Sequence, residues 1–555
     1  MEKNIRVKIN REEFILPSGI SVGDALKKAR GKNVLPYLGA IVHNRLVDPD
    51  YSLNQDCSLR AVTYHDWEGL AIYRRSATLI LIEAAHQLFP GKRLVIGQSI
   101  AHGYYFDLYL DRPLSPEDIG KIEQGMHQIT RKDLPFRKSF IPFREAKNYF
   151  EKHRLEDKVK LLDYLRSPEI CIVSCGEFCE LYSGPLAPST GQIEVFSLQP
   201  YQKGMVLRFP VWERSKGWCL SPVGEEPKLF SSYRETRQWN KILAVENVGQ
   251  LNEMCVSGKV RELIIIAEAL HEKKIAAIAD EIARRADQIK VVLIAGPSAS
   301  GKTTFAKRLM IELKVNGLDP VALSIDNYFL DRRDTPRNET GLYDFEAPEA
   351  LNLELFNLHL KQLLAGKLVK TPVFDFKEGN RKKKIHLPLK LTDKRILIVE
   401  GLHALNDRVS ESLPEEIKFR IYVSALTQLC VDDHNRIFTS DTRLLRRIVR
   451  DRRFRGWSAA ASIKRWPSVR QGENLYIFPY QENADVMFNS ALVYEHAVLK
   501  YFTEQALLEV TPDQPEYVEA DRLLHFIYLF VPISERNVPS TSILREFIGD
   551  GFFQY

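Results

Sequence analysis

The sequence predicts a multidomain chain, mixed α+β in its front half and α/β behind, with a doubly wound parallel sheet in the rear domain. Three observations carry this. The 555 residues suffice for about three or four domains. The first 64 residues alternate short apolar and charged stretches, as small antiparallel strands do. From Lys290 onward, β-branched runs alternate with helical patterns, the arrangement that builds parallel sheets.

Composition narrows the class. The chain is 45% hydrophobic and 27% charged, ordinary for several packed cores, which excludes disorder as the dominant state. The longest apolar run, Leu523 to Ile533, contains His525 and falls short of the ~18–20 residues of a membrane span. The opening MEKNIRVKIN lacks the apolar core of a secretory signal. A net charge of +6 over this length does not by itself imply nucleic acid. Seven scattered cysteines, an odd number, point to reduced thiols in a cytoplasm. Cys171, Cys175 and Cys179 have spacing unlike a zinc knuckle. The composition is compatible with an oligomer.

Taken in order, residues 1–64 read as a small mixed domain. IRVKI and EEFIL are short strands joined by an Asn10–Arg11 turn. Ser21 caps the helix VGDALKKARG, which Gly31 closes, and AIVHNRLVD is a strand pair around Asn44. A second unit spans 65–215 and opens on the apolar helix SATLILIEAAHQLFP. Residues 216–285 form a helical connector, with Leu263, Ile266, Leu270 and Ile275, Ile278, Ile282 at helical spacing. The α/β unit covers 286–500, and 501–555 is a C-terminal helical extension.

The strongest signal is local. KVVLIAG reads as a buried strand, GPSASGKTT follows at once, and FAKRLMIELKVNG continues as a helix. Gly296, Gly301, Lys302 and Thr303 satisfy G-x-x-x-x-G-K-[ST] in the strand–loop–helix context that its mechanism requires. Gly296, Pro297, Ser298, Ala299, Ser300, Gly301, Lys302, Thr303 and Thr304 form the loop whose backbone N–H groups would cradle phosphates at a helix N-terminus. Lys302 would reach the β- and γ-phosphates of ATP, and the Thr303 hydroxyl would ligate Mg²⁺. RILIVE delivers Glu400 at a strand end as a second magnesium partner, and VALSI delivers Asp326, beside Tyr328, as a base for an alcohol acceptor. Asp331 and Asp334 read as solvated loop acids.

In the front half, IGQSIAHGYYFDLYLDRPLSPEDIGKIEQGMHQI and GEFCELYSGPLAPSTGQIEVF resemble, in order, the second, editing-type domain of threonyl-tRNA synthetases. Residues 1–64 resemble the β-grasp TGS domain that opens those enzymes. The family's HxxxH and Cys-x-x-x-His positions hold Arg75, Leu79, Tyr182 and Leu186 here, so the scaffold is expected without its chemistry.

In the rear half, GPSASGKTT, SIDNYF, YDFEAPEAL, PVFDFKEGNR, VEGLHAL and RRIVRDRRFRG together resemble the uridine–cytidine kinase family, sister to phosphoribulokinases. The resemblance implies a P-loop kinase passing the γ-phosphoryl group of ATP to a nucleoside 5′-hydroxyl. It implies Asp326 as general base, Thr303, Asp326 and Glu400 around Mg²⁺, and Glu346 on the ribose. Phe374 and Phe376 fall at base-pocket positions, with Tyr328 and Arg381 also toward the substrate, while Gly379 stands where the family has a base-reading His. The lid stripe of Arg443, Arg446, Arg447 and Arg450 places neighbours at i+3 and i+4. Arg446 is expected on ATP, and Arg447 and Arg450 on the transferred phosphoryl group.

Two other readings share these residues. EGLH at 400–403 also resembles phosphoribulokinases, with a sugar phosphate as acceptor. An RNA-binding regulator would use the front half, with Tyr104, Tyr105, Phe106, Arg131 and Lys132, for a tRNA-like partner and the P-loop domain as nucleotide sensor.

Overall fold

A computed structural model describes residues 4–9, 12–29, 37–213, 217–220, 224–337, 341, 343–375, 378–392, 395–411 and 413–554. The Asn10–Arg11 turn, Gly31 and Phe376 lie outside the described residues. Among the described residues no helix is long and apolar enough to cross a membrane.

The front unit is a five-stranded sheet. Asn4–Ile9 pairs antiparallel with Glu12–Pro17 and parallel with Cys57–Thr63, and Tyr37–Val42 and Arg45–Val47 complete it. Strict alternation in Asn4–Ile9 buries Ile5, Val7 and Ile9 beside Val22 and Leu26 of the helix Val22–Ala29. Ser21 starts that helix by accepting the Asp24 N–H at 3.1 Å.

The second unit pairs the long helix Trp67–Leu88 and the helix Pro116–Arg131 with a four-stranded antiparallel sheet, and a three-stranded sheet follows. Ser115 and Asp118 close a reciprocal capping box on the second helix.

The rear unit is built on a five-stranded, all-parallel sheet with Val291–Ala295 at its centre. Arg395–Glu400 and Asp319–Ser324 lie on one side, Lys418–Ser424 and Val486–Asn489 on the other. Such a sheet needs both faces covered. The connector does this on one face. Its helix Val260–Arg284 shares a core with the helix Lys302–Val315, so it belongs to the rear unit as much as it links the halves. The helix Glu495–Leu508 runs across the boundary expected at residue 500.

The halves are locked together by a loop of the rear unit. Arg93 donates twice to Asp433, at 2.6 and 2.7 Å, and Val248 N–H donates to Cys430 carbonyl at 3.0 Å. Beneath them, Lys158 is fully buried and reaches Glu180 at 2.9 Å and Asp432 at 3.0 Å. A buried ammonium persists only where carboxylates compensate its lost hydration.

Candidate active site

Phosphate-loop geometry follows from close packing around Gly296. A Cβ at this position would lie 2.1 Å from the Val423 carbonyl, so only glycine lets the central strand turn there. The loop then swings through positive φ at Ala299 and Gly301 and enters the helix at Lys302.

Two neighbouring strands deliver the acids. Asp319–Ser324 and Arg395–Glu400 are parallel and in register, with Ser324 opposite Glu400. Ser324 Oγ donates to Glu400 at 3.0 Å, and Thr303 Oγ1 donates to its other oxygen at 3.4 Å. Asp326 sits in the turn just after its strand, and a Cβ on Gly401 would lie 3.4 Å from its carboxylate. Thr303, Asp326 and Glu400 therefore converge in front of the loop. Burial pushes the Glu400 carboxyl up to about 7, with Asp326 adding repulsion. Burial also raises Asp326, against the pull of Lys302, Arg455 and Arg450. Two crowded carboxylates with a hydroxyl are hard oxygen donors that suit a divalent cation such as Mg²⁺.

Glu346 lies across the site. Its Cβ would meet a Cβ on Gly472 at 2.2 Å, so the glycine makes room for it. Its Oε2 is buried without a hydrogen-bond partner. Burial pushes this carboxyl up to about 7, opposed chiefly by Arg447. An orphaned buried acceptor of this kind is available to a substrate donor.

The lid arginines divide. Arg443 is paired with Glu473 at 2.7 Å, and Arg446 donates to Glu495 at 2.6 Å and to the Ser490 carbonyl at 2.8 Å. Both are fully buried beneath the loop. Arg446 thus departs from its expected place on the nucleotide, because its guanidinium is enclosed by Glu495, Ser490 and the Phe547 ring. Arg447 donates to Ser298 Oγ at 2.8 Å. Arg450 and Arg455 join it around Asp451, at 2.9 and 3.3 Å. Burial raises the Asp451 carboxyl, but Arg450, Arg447 and Arg455 more than offset it. Arg455, whose guanidinium burial pushes down to about 10, also acts on Asp326. The sequence reading missed Asp451 and Arg455 as site residues. Asp451 stands at i+4 from Arg447 and Arg455 at i+4 from Asp451, a spacing that could have exposed the cluster.

On the acceptor side, three expectations shift. Tyr328 is fully buried, and its hydroxyl meets His359 at 2.8 Å in the core. Arg381 donates to the Phe329 and Tyr328 carbonyls at 2.8 and 2.9 Å, bracing the turn that carries Asp326. Asp331 accepts the Arg381 N–H at 2.9 Å, so it is a staple and not a solvated acid. Phe374 is half-buried on the hairpin Val369–Asp375/Asn380–Leu389, its ring 5.7 Å from that of Phe329. Gly379 is the positive-φ turn of that hairpin.

In the front half, the four positions of the synthetase motifs are packed shut. Leu79 and Leu186 lie in one core. Arg75 donates to the Pro185 carbonyl at 2.5 Å. Tyr182 donates to Asp48 at 2.6 Å, and Asp48 also receives Leu186 N–H at 3.2 Å and Lys138 at 2.8 Å. Tyr104, Tyr105 and Phe106 are buried, which removes them as base-stacking aromatics.

Comparison with known proteins finds different relatives for the two halves. Residues 291–495 match the phosphoribulokinase / uridine kinase family. The rear half carries a domain of that family. The N-terminal half is similar to threonine–tRNA ligases: 36% identity over 183 residues with that of Symbiobacterium thermophilum, and 35% over 164 residues with that of Desulforamulus reducens. These cover 33% and 29% of this chain but only 28% and 26% of the ligases. The chain thus spans about a quarter of the length of these relatives. Among solved structures, a "possible uridine kinase" from Bacillus stearothermophilus aligns at 17% identity and a TM-score of 0.26, over 38% of this chain and 97% of that one.

Proposed function

We propose that this protein is an ATP-dependent, Mg²⁺-requiring kinase that phosphorylates the 5′-hydroxyl of a nucleoside, with uridine or cytidine as the preferred acceptor. The observation that carries the reading is the convergence of Thr303, Asp326 and Glu400 before the phosphate loop, with the unpartnered Oε2 of Glu346 across from them. In this reading Asp326 takes the acceptor proton, and Glu346 accepts hydrogen bonds from the ribose hydroxyls. Lys302, Arg447, Arg450 and Arg455 face the charge of the transferred phosphoryl group. Thr303, Asp326 and Glu400 would hold Mg²⁺, which when bound neutralises phosphate charge. Phe374 offers a flat apolar wall to a base, and Arg381 keeps the Asp326 turn in place.

The front half, in the same proposal, keeps a TGS-like sheet and an editing-like unit as a docked body without ester hydrolysis. The test is a coupled assay of the full chain with ATP, Mg²⁺ and a panel of nucleosides and pentose phosphates. Turnover with a nucleoside alone supports the proposal; turnover with a pentose phosphate alone overturns the acceptor assignment.

A further inference from the structure

The C-terminal segment returns to the phosphate loop from far along the chain. Ser542 to Ile548 are all buried, at 9% exposure or less. Ile543 lies against Gly301, where a Cβ would be 2.5 Å from its side chain. Phe547 lies under the Arg446 guanidinium at 5.0 Å. Between them, Glu546 points into the loop. Its Oε2 accepts both the Thr304 N–H at 3.1 Å and the Thr304 hydroxyl at 2.7 Å. The Thr304 N–H belongs to the first turn of a 14-residue helix, where amides have no intrahelical partner and the dipole favours an anion. These are the donors that a glycine-rich phosphate loop turns toward a nucleotide.

Two further ties hold the segment near cations of the same region. Lys307, one turn along the helix, donates to the Gln554 carbonyl. Arg453, in the arginine-rich turn after the helix Thr439–Arg450, pairs with Asp550 at 2.8 Å. The Gln554 carbonyl on Lys307 and the Asp550 carboxylate on Arg453 anchor the same segment that seats Glu546 on the helix amide. A phosphate chain arriving at Thr304 competes with the Glu546 carboxylate directly.

We propose that this segment is a built-in stopper, with Glu546 seated on a phosphate-binding amide of the loop, so that the nucleotide must displace its carboxylate to bind fully. The proposal rests on the reading of the loop as a nucleotide site. It is distinct from a brace, in which Glu546 would hold Thr304 in place for the nucleotide, and the two differ in sign. Removing a competitor tightens binding, whereas removing a brace weakens it.

The experiment titrates a fluorescent ATP analogue into full-length wild type, Glu546→Gln and Asp550→Asn. Glu546→Gln keeps the side-chain size and removes the charge. Its expected effect is about tenfold tighter binding, the factor regained when a site open a tenth of the time is always open. Asp550→Asn, at an exposed pair, is expected to tighten binding about two- to fivefold. Equal or weaker binding by Glu546→Gln overturns the stopper and leaves the nucleotide site standing. Failure of both wild type and variant to bind the analogue overturns the nucleotide reading as well. If Glu546→Gln does not fold, hydrogen exchange of residues 540–551 in wild type decides. Faster exchange with ATP supports the stopper; slower or unchanged exchange overturns it.

Discussion

Arg443 and Glu473 form an ion pair without solvent access that grips Ser298 from both sides. Glu473 accepts the Ser298 N–H at 3.1 Å, and Arg443 donates to the Ser298 carbonyl at 3.1 Å. Burial disfavours the Glu473 carboxylate, but Arg443 more than compensates and holds the group below its ordinary range. The phosphate loop is thereby fastened to the helix Thr439–Arg450 and to the helix Ala459–Tyr476.

Arg443→Met leaves a buried carboxylate with the Ser298 N–H and, as its charged partner, Arg470 at 3.1 Å. The expected loss is about 3 kcal/mol, at the lower end for a broken buried pair because Arg470 remains. Arg443→Met/Glu473→Met recovers part of it. Urea unfolding of both variants checks this, and a single variant within about 0.5 kcal/mol of wild type would count against the clamp.

Asp326→Asn keeps the size and removes the base. Turnover is expected to fall about 10²- to 10⁴-fold. ATP binding persists, because the cradle is made of backbone amides that this carboxylate does not touch. Lys302→Ala is expected to weaken nucleotide binding together with turnover. Paired Kd and kcat measurements separate the two. An Asn variant within about threefold of wild-type turnover makes Asp326 an ordinary loop acid and favours a nucleotide sensor.

Glu346 should make stability fall with rising pH. Its folded pKa of about 7 lies above the ordinary 4.5, so the folded state keeps a proton that the unfolded state has released. The group's contribution is therefore fully present below pH 4.5 and is lost as pH rises through 7. Glu346→Gln removes that loss, which is at most about 3 kcal/mol. The variant is expected to be more stable than wild type at pH 8 and nearly equal at pH 4.5, while binding acceptor more weakly. Melting curves at both pH values test this; equal differences at both would refute the assignment.

In the front half no hydrolysis of mischarged tRNA is expected above a protein-free control, since Arg75, Leu79, Tyr182 and Leu186 carry none of the required groups. Asp48 has a mechanical task there. Asp48→Ala strips three donors of their acceptor and is expected to cost about 1–3 kcal/mol. Hydrogen exchange across residues 37–63 should rise with it, and unchanged protection would argue against the staple.

What the sequence by itself determined is what contiguous residues encode. The strand Val291–Ala295, the loop and the helix from Lys302 were legible because one short stretch supplies the buried run, the glycines and the helix start. Asp326 and Glu400 were legible for a related reason, since a parallel strand delivers its next residue to a known edge of the sheet. Helical spacing put Arg443, Arg446, Arg447 and Arg450 on neighbouring faces but said nothing about which face would be covered. That was decided by partners 30 and 49 positions downstream, Glu473 and Glu495, which draw two arginines under the loop and leave Arg447 and Arg450 beside the carboxylates. The same limit hid Glu546, which lies 242 positions from Thr304. A hydrogen bond between residues that far apart leaves no local pattern, because it exists only once the C-terminal segment has packed back onto the sheet.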